Sequence, residues 1–147
     1  ARSLAQNCAG THAAMLVTCR SNGWDLETYR HDEHPLQRLM AETIADLAGE
    51  PVAATVVDGC GAPVFAISLT GLARAFLRIV SAGPGTPERA VADAMRAHPE
   101  LVSGTGADDA RLMRGVPGLL SKGGAEGVVR VLKLSRASAR RLCAGTE

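Results

Sequence analysis

Aromatic residues are nearly missing from this chain: one Trp, one Tyr and two Phe make up 3% of its 147 residues. A core without rings has to be built from Leu, Val, Ile, Met and Ala, which favours helices packed on a sheet. An excess of one charge is missing too. Sixteen Lys plus Arg stand against 15 Asp plus Glu, for a formal charge of +1. That balance argues against a general binder of nucleic acid or of acidic membrane surfaces. No apolar run approaches the roughly 18 residues of a membrane-spanning helix. The opening residues Ala1-Arg2-Ser3-Leu4 do not read as a signal peptide. They do not begin with Met, so the chain is expected to start partway through a longer polypeptide. Cysteine is sparse: Cys8, Cys19, Cys60 and Cys143 are too scattered for a disulfide scaffold. The expectation is reduced thiols in a cytoplasmic protein. Lysine is scarcer still. Lys122 has Leu119 three positions before it and Lys133 has Arg130, so no Ser-x-x-Lys occurs in the chain.

What is present reads as a folded chain, 46% hydrophobic and 21% charged, of a length that suits one domain or part of one, residues 1–147. Asn7 is a good N-cap for a helix from Cys8 to Arg20, stopped at Asn22-Gly23. Trp24 to Glu33 is polar and irregular, a surface loop. His34-Pro35 opens a second helix whose Leu36, Leu39, Met40, Ile44 and Leu47 recur at helical spacing, and Gly49 closes it. Val52 to Val57 is a short β-branched run that leads into the glycine-rich turn Asp58-Gly59-Cys60-Gly61-Ala62-Pro63. Leu69 to Val80 is an apolar helix with Leu72, Ala73, Phe76, Leu77 and Val80 as its buried face. Thr86-Pro87 caps and starts another helix, which ends near His98. Asp108 to Arg114 is a short helix with acidic residues at its positive end. Gly118 to Lys122 and Gly127 to Leu134 read as two strands about a glycine turn. Five helices and two or three strands make an α/β arrangement of helices packed on an antiparallel sheet. Leu39, Ile44, Leu72, Phe76 and Leu77 are the expected core.

Three stretches do not look like packing: Asn7-Cys8-Ala9-Gly10-Thr11-His12, Val57 to Pro63, and Ser121-Lys122-Gly123-Gly124-Ala125-Glu126-Gly127. Singly each is weak. A free Cys is more often a small buried hydrophobe than a ligand, and a lysine in a glycine turn is usually just solvated. Together they carry more. Asn7 to Leu16, Val57 to Pro63, His98 to Gly106 and Lys122 to Val128 resemble, in order, four motifs of the thermolabile, Rhizobium-type L-asparaginases (asparaginase II family). The resemblance runs from Asn7 to about Leu134.

The resemblance implies an amidohydrolase that converts the small molecule L-asparagine to L-aspartate and ammonia. It also implies a partial fold similar to the serine β-lactamases and glutaminases, and a homodimer. Lys122 is then the catalytic lysine of a K-x-G strand, and Asp58, Cys60, Cys8, Gly123 and Glu126 face substrate. No cofactor is required, although in such enzymes the two thiols, with a Lys three residues after the first, can hold zinc. Here position 11 is Thr, a poor zinc donor. His12 lies one helical turn after Cys8 and is the candidate third ligand beside Cys8 and Cys60. The serine nucleophile that the family requires is expected in a preceding segment. Three readings stay open at this point: an asparaginase completed by that segment, a degenerate relative acting as a binding or assembly module, and a thiol-based metal-binding protein.

Overall fold

The computed structural model of the chain describes residues 8–124 and the backbone of residues 129–133. Among these, six helices and four strands alternate in a mixed α/β order. The chain divides into two compact units, Ala1–Leu72 and Ala73–Glu147. No helix among the described residues is long and apolar enough to cross a membrane. The first helix begins at Ala9 with Cys8 at its N-cap position, in place of the expected Asn7; Cys143 and Glu126 lie outside the described residues.

The first unit opens with α1 (Ala9–Asn22) and α2 (Pro35–Ala48), each ended by a left-handed glycine, Gly23 and Gly49. His34 caps α2 through its ring, which accepts the Leu36 amide, and Pro35 takes the first helical position. Strands β1 (Ala54–Val57) and β2 (Pro63–Ala66) form an antiparallel hairpin with Ala54 opposite Ala66 and Val57 opposite Pro63. The core joins Met15 and Cys19 of α1 to Leu36 and Ala62, flanked by Trp24, Tyr29, Met40 and Cys60. Strand β2 starts at Pro63, where the expected glycine-rich turn ends, in a stretch to which the sequence pattern assigns no element. Pro63 is tolerated because it is the first residue of an edge strand, where a missing N–H breaks no ladder.

In the second unit α4 (Pro87–Ala97), α5 (Pro99–Ser103) and α6 (Asp108–Gly115) precede β3 (Leu119–Gly123), which pairs antiparallel with β4 (Val129–Lys133). Val80, Ala92, Met113 and Leu120 form its core, with Ile79, Met95 and Val102 at the edge. Thr86 caps α4 by accepting the Arg89 amide, as its sequence position suggests. Helix α5 is a sixth helix that the single turn of sequence between Pro99 and Gly104 did not announce. The sheet is two separate hairpins, one in each unit, rather than one continuous surface.

The expected core is not the observed one: none of Leu39, Ile44, Leu72, Phe76 and Leu77 is fully buried or belongs to either cluster. Leu39 is 47% exposed. The buried stripe of α2 carries Leu36, Gln37 and Ala48, and at about 100° per residue Leu39 falls outside it. Ala73 of α3 (Leu69–Ser81), expected on the buried face, is exposed, while Gly71, Ala75 and Val80 of that helix are buried. Ile44, Leu72, Phe76 and Leu77 are half-buried.

The start of α3 is held by an arrangement not seen from spacing. The Ser68 hydroxyl accepts the Gly71 amide at 2.9 Å and donates to the Glu50 carboxylate at 2.8 Å, and the same carboxylate accepts the Ser68 amide at 2.6 Å. A Cβ on Gly71 would stand 2.6 Å from that carboxylate, so a larger residue there would have to displace the Glu50 side chain. Ser68 is thus the N-cap of α3. Ser68→Ala should cost about 1 kcal/mol in urea unfolding. A stability unchanged by the substitution would show that Glu50 holds the helix start without the hydroxyl.

Candidate functional site

The candidate site is assembled in the first unit from the beginning of α1 and the turn between β1 and β2. Within the turn the Asp58 amide donates to the Ala62 carbonyl at 2.9 Å and the Gly61 amide to the Asp58 carbonyl at 2.8 Å. These two bonds fold Asp58 and Cys60 onto one side. Gly61 has φ +80, and a Cβ there would lie 2.5 Å from the Arg30 guanidinium. The left-handed backbone favours glycine at this position, and any side chain there would also have to push the Arg30 guanidinium aside.

Cys8, Asp58 and Cys60 present ligand atoms that all lie within 4.8 Å of one another. Cys60 Sγ donates to Asp58 Oδ2 at 3.2 Å, and Cys8 Sγ approaches the same oxygen at 3.9 Å from fifty positions earlier in the chain. Thiols that donate to a carboxylate stabilise its ionised form and their own protonated form. The Asp58 carboxyl is accordingly held below its usual range, chiefly by the Cys60 hydrogen bond and then by the Gly59 amide. The Cys8 thiol is pushed up, first by its hydrogen bond with Cys60, then by desolvation and by the neighbouring charges. At neutral pH the Asp58 carboxylate is ionised and the Cys8 thiol beside it keeps its proton.

The loop from Trp24 to His34 supports this centre. His34 Nδ1 accepts the Leu36 amide at 3.1 Å, so the ring is the neutral Nε2–H tautomer and donates to the Asp25 carbonyl at 3.0 Å. The indole of Trp24 meets that ring edge-on. Asp25 in turn accepts the Thr28 amide, three residues on, at 2.8 Å, which shapes the loop. Gln37 donates to the Tyr29 carbonyl at 2.8 Å. The loop thereby delivers two side chains toward the centre. The Tyr29 hydroxyl lies 2.7 Å from His12 Nδ1, and Arg30 donates to the Cys60 carbonyl at 3.4 Å.

His12 therefore stands outside the ligand group. Its Nδ1 is engaged by Tyr29, and the third donor beside the two sulfurs is Asp58. Tyr29 and Arg30 lie in a stretch whose polarity marked it as loop and nothing more. Their partnership with His12 and Cys60 has no signature in spacing.

Lys122 and Gly123 belong to the second unit, on β3. The Lys122 side chain is exposed and its Nζ turns back to the Gly123 carbonyl. The backbone on either side is anchored by Asp109. Its carboxylate accepts the Ser121 hydroxyl, the Ser103 hydroxyl at 2.8 Å and the Gly123 amide at 2.8 Å. Asp109 is only 7% exposed. Burial would raise its pKa, but the hydrogen bonds from Ser121, Gly123 and Ser103, together with the Lys122 charge, outweigh it and hold the carboxyl below its usual range. In the sequence Asp109 stands out only as one of the acidic residues at the positive end of a short helix. The signal for burial was its spacing: Asp109 lies four positions before Met113, on the face that enters the core. Glu126 lies outside the described residues.

A paired-thiol, single-carboxylate centre in a mixed α/β chain, with a lysine strand braced by a buried aspartate, is the class of protein these features define. The chain belongs to the L-asparaginase II family, whose model matches residues 1–141. At the level of that family it is asparaginase-like, an amidohydrolase chain. No curated protein matches the sequence.

Proposed function

We propose that this chain supplies part of the active site of an enzyme that hydrolyses L-asparagine to L-aspartate and ammonia. The observation that carries the reading is the meeting of Cys8, Asp58 and Cys60 within 4.8 Å, inside a family match over residues 1–141. Residues fifty positions apart come together here with no packing need for a carboxylate. In this reading the Asp58 carboxylate and the sulfurs face the amino-acid end of the substrate, while the role of Lys122, a positive charge or a proton-transfer group, rests on the family resemblance alone. The nucleophilic serine and its lysine come from a segment other than these 147 residues, which hold no Ser-x-x-Lys. That same feature favours a second reading, a non-catalytic relative that keeps the recognition surface for binding or assembly. Ammonia release from L-asparagine separates the two, once the chain is combined with a family segment that carries Ser-x-x-Lys. Release supports the enzyme, whereas substrate binding without release supports the module.

The donor set also fits zinc, which is soft enough for thiolates and takes a carboxylate oxygen readily. Cys8, Cys60 and Asp58 would hold the ion, which when bound would supply a fixed positive charge for an anionic group of the substrate. Both sulfurs would have to give up their protons, so binding would weaken as pH falls. Thr11, in the first turn of α1, offers no nitrogen where the family resemblance implies a lysine. Thr11→Lys should tighten zinc binding about tenfold or more, and Cys60→Ser should abolish most of it. Cobalt(II), read by its thiolate charge-transfer absorption, is the probe. Equal cobalt uptake by the wild type and Cys60→Ser would remove the cluster from metal chemistry.

A further inference from the structure

We infer that Cys8 and Cys60 form a reversible redox pair, converted by a low-molecular-weight disulfide into one intramolecular disulfide that ties the start of α1 to the β1–β2 turn. The geometry that carries this is independent of which substrate the protein acts on. Both thiols are free and half-buried, open to a small reagent, and their sulfurs lie within 4.8 Å. Cys19, by contrast, is fully buried, 0% exposed. A disulfide needs the sulfurs about 2 Å apart, and both residues sit where side-chain rotation can supply the difference. Cys8 is the N-cap of α1 and makes no side-chain capping bond. Cys60 lies in the turn between β1 and β2, outside either strand.

The chemistry balances as thiol–disulfide exchange. One cysteine sulfur attacks the reagent disulfide, breaking its S–S bond, forming a mixed disulfide and releasing one small thiol that carries away a proton. The second cysteine sulfur then attacks the mixed disulfide at the first cysteine's sulfur and releases the second small thiol. Two protein thiols are oxidised by two electrons, and one reagent disulfide is reduced to two thiols. The product strips Asp58 of both its S–H donors and leaves no thiolate at the centre. The disulfide and a metal ion are therefore mutually exclusive occupants, so the pair can act as a switch.

The test uses oxidised glutathione at neutral pH, an acid quench, proteolysis and mass-spectrometric mapping of native protein and of protein in guanidinium. In the native protein the expected product is a Cys8–Cys60 cross-link with Cys19 left reduced. In guanidinium, glutathione should be distributed over all the cysteines. Cys60→Ser should stop at the first step, with Cys8 persisting as the glutathione mixed disulfide. Mixed disulfides persisting on both Cys8 and Cys60 of the native protein would overturn the inference, as would a cross-link pattern equal to that in guanidinium. The native-versus-denatured comparison decides the matter even if Cys60→Ser fails to fold. Failure here would leave the asparaginase proposal standing, because ammonia release does not require the disulfide.

Discussion

Mixed with L-asparagine, the 147-residue chain should release ammonia no faster than buffer. Amide hydrolysis needs a nucleophile and a base placed to activate it. Of the two lysines, neither has a serine three positions before it. Ser121, the serine adjoining Lys122, is 0% exposed and donates to Asp109, so it is not free to attack. Combined with a family segment that carries Ser-x-x-Lys, the chain should acquire turnover. Lys122→Ala in that combination should then lose about 10²–10⁴-fold in kcat, the usual weight of a positioned proton-transfer group. The substitution is mild because Lys122 is exposed, its amine meets the carbonyl of the next residue, and its charge is the smallest of the influences on Asp109. Circular dichroism and the unfolding midpoint should stay as they are. Full activity in Lys122→Ala would remove that residue from the chemistry. Turnover by the isolated chain would point instead to a nucleophile within it, Cys60 first.

Asp109→Ala should be among the most damaging single changes to stability in the second unit, at about 3 kcal/mol. The carboxylate takes three hydrogen bonds, from Ser103, Ser121 and the Gly123 amide. Removing it leaves the fully buried Ser121 hydroxyl and a half-buried amide without their acceptor, and each orphaned donor carries a desolvation cost. Asp109→Asn keeps the size and one carbonyl acceptor, so it should cost less, about 1–2 kcal/mol. The two variants should also differ from the wild type in pH dependence. The folded pKa of Asp109 lies below the unfolded one. Its contribution is therefore complete above the unfolded carboxylate value, about 4, and is lost as pH falls through the lower folded value. Urea titrations across that acid range should show the wild type losing stability more steeply than Asp109→Asn. Parallel curves would mean that the carboxylate charge does not matter to the fold and that Asp109 acts only as a spacer.

The chain was legible wherever local chemistry decides. His34-Pro35, Thr86-Pro87, Gly23 and Gly49 announce helix ends because a cap or a left-handed residue serves the backbone beside it, whatever the rest of the chain does. The strands about the Lys122 turn were visible as β-branched and leucine-rich runs on either side of glycines. Strand β2 and helix α5 were not, since four or five residues are too few to display a period. The stripe of α2 was misphased at Leu39 because an all-round mixture of Leu, Met, Ile and Ala leaves several faces apolar enough to bury. Of the site, the cysteines, Asp58 and Lys122 stood out by their glycine neighbours and by the family resemblance. Arg30, Tyr29 and Asp109 did not.

By itself, then, the sequence determined the elements with strong ends, the exclusion of a membrane-spanning helix among the described residues, and the family, because each depends on residues close together or on an ordered series of motifs. Only the tertiary structure brought Asp58 beside the two sulfurs, set the Tyr29 hydroxyl on His12, and placed a buried aspartate under the lysine strand. The physical reason is the same in each case. Which donor reaches a given atom depends on a loop closing over fifty residues, or on a helix face chosen by its packing partner. Neither is written in the spacing of neighbours, since a side chain's partner across such a distance is set by the packing of everything between.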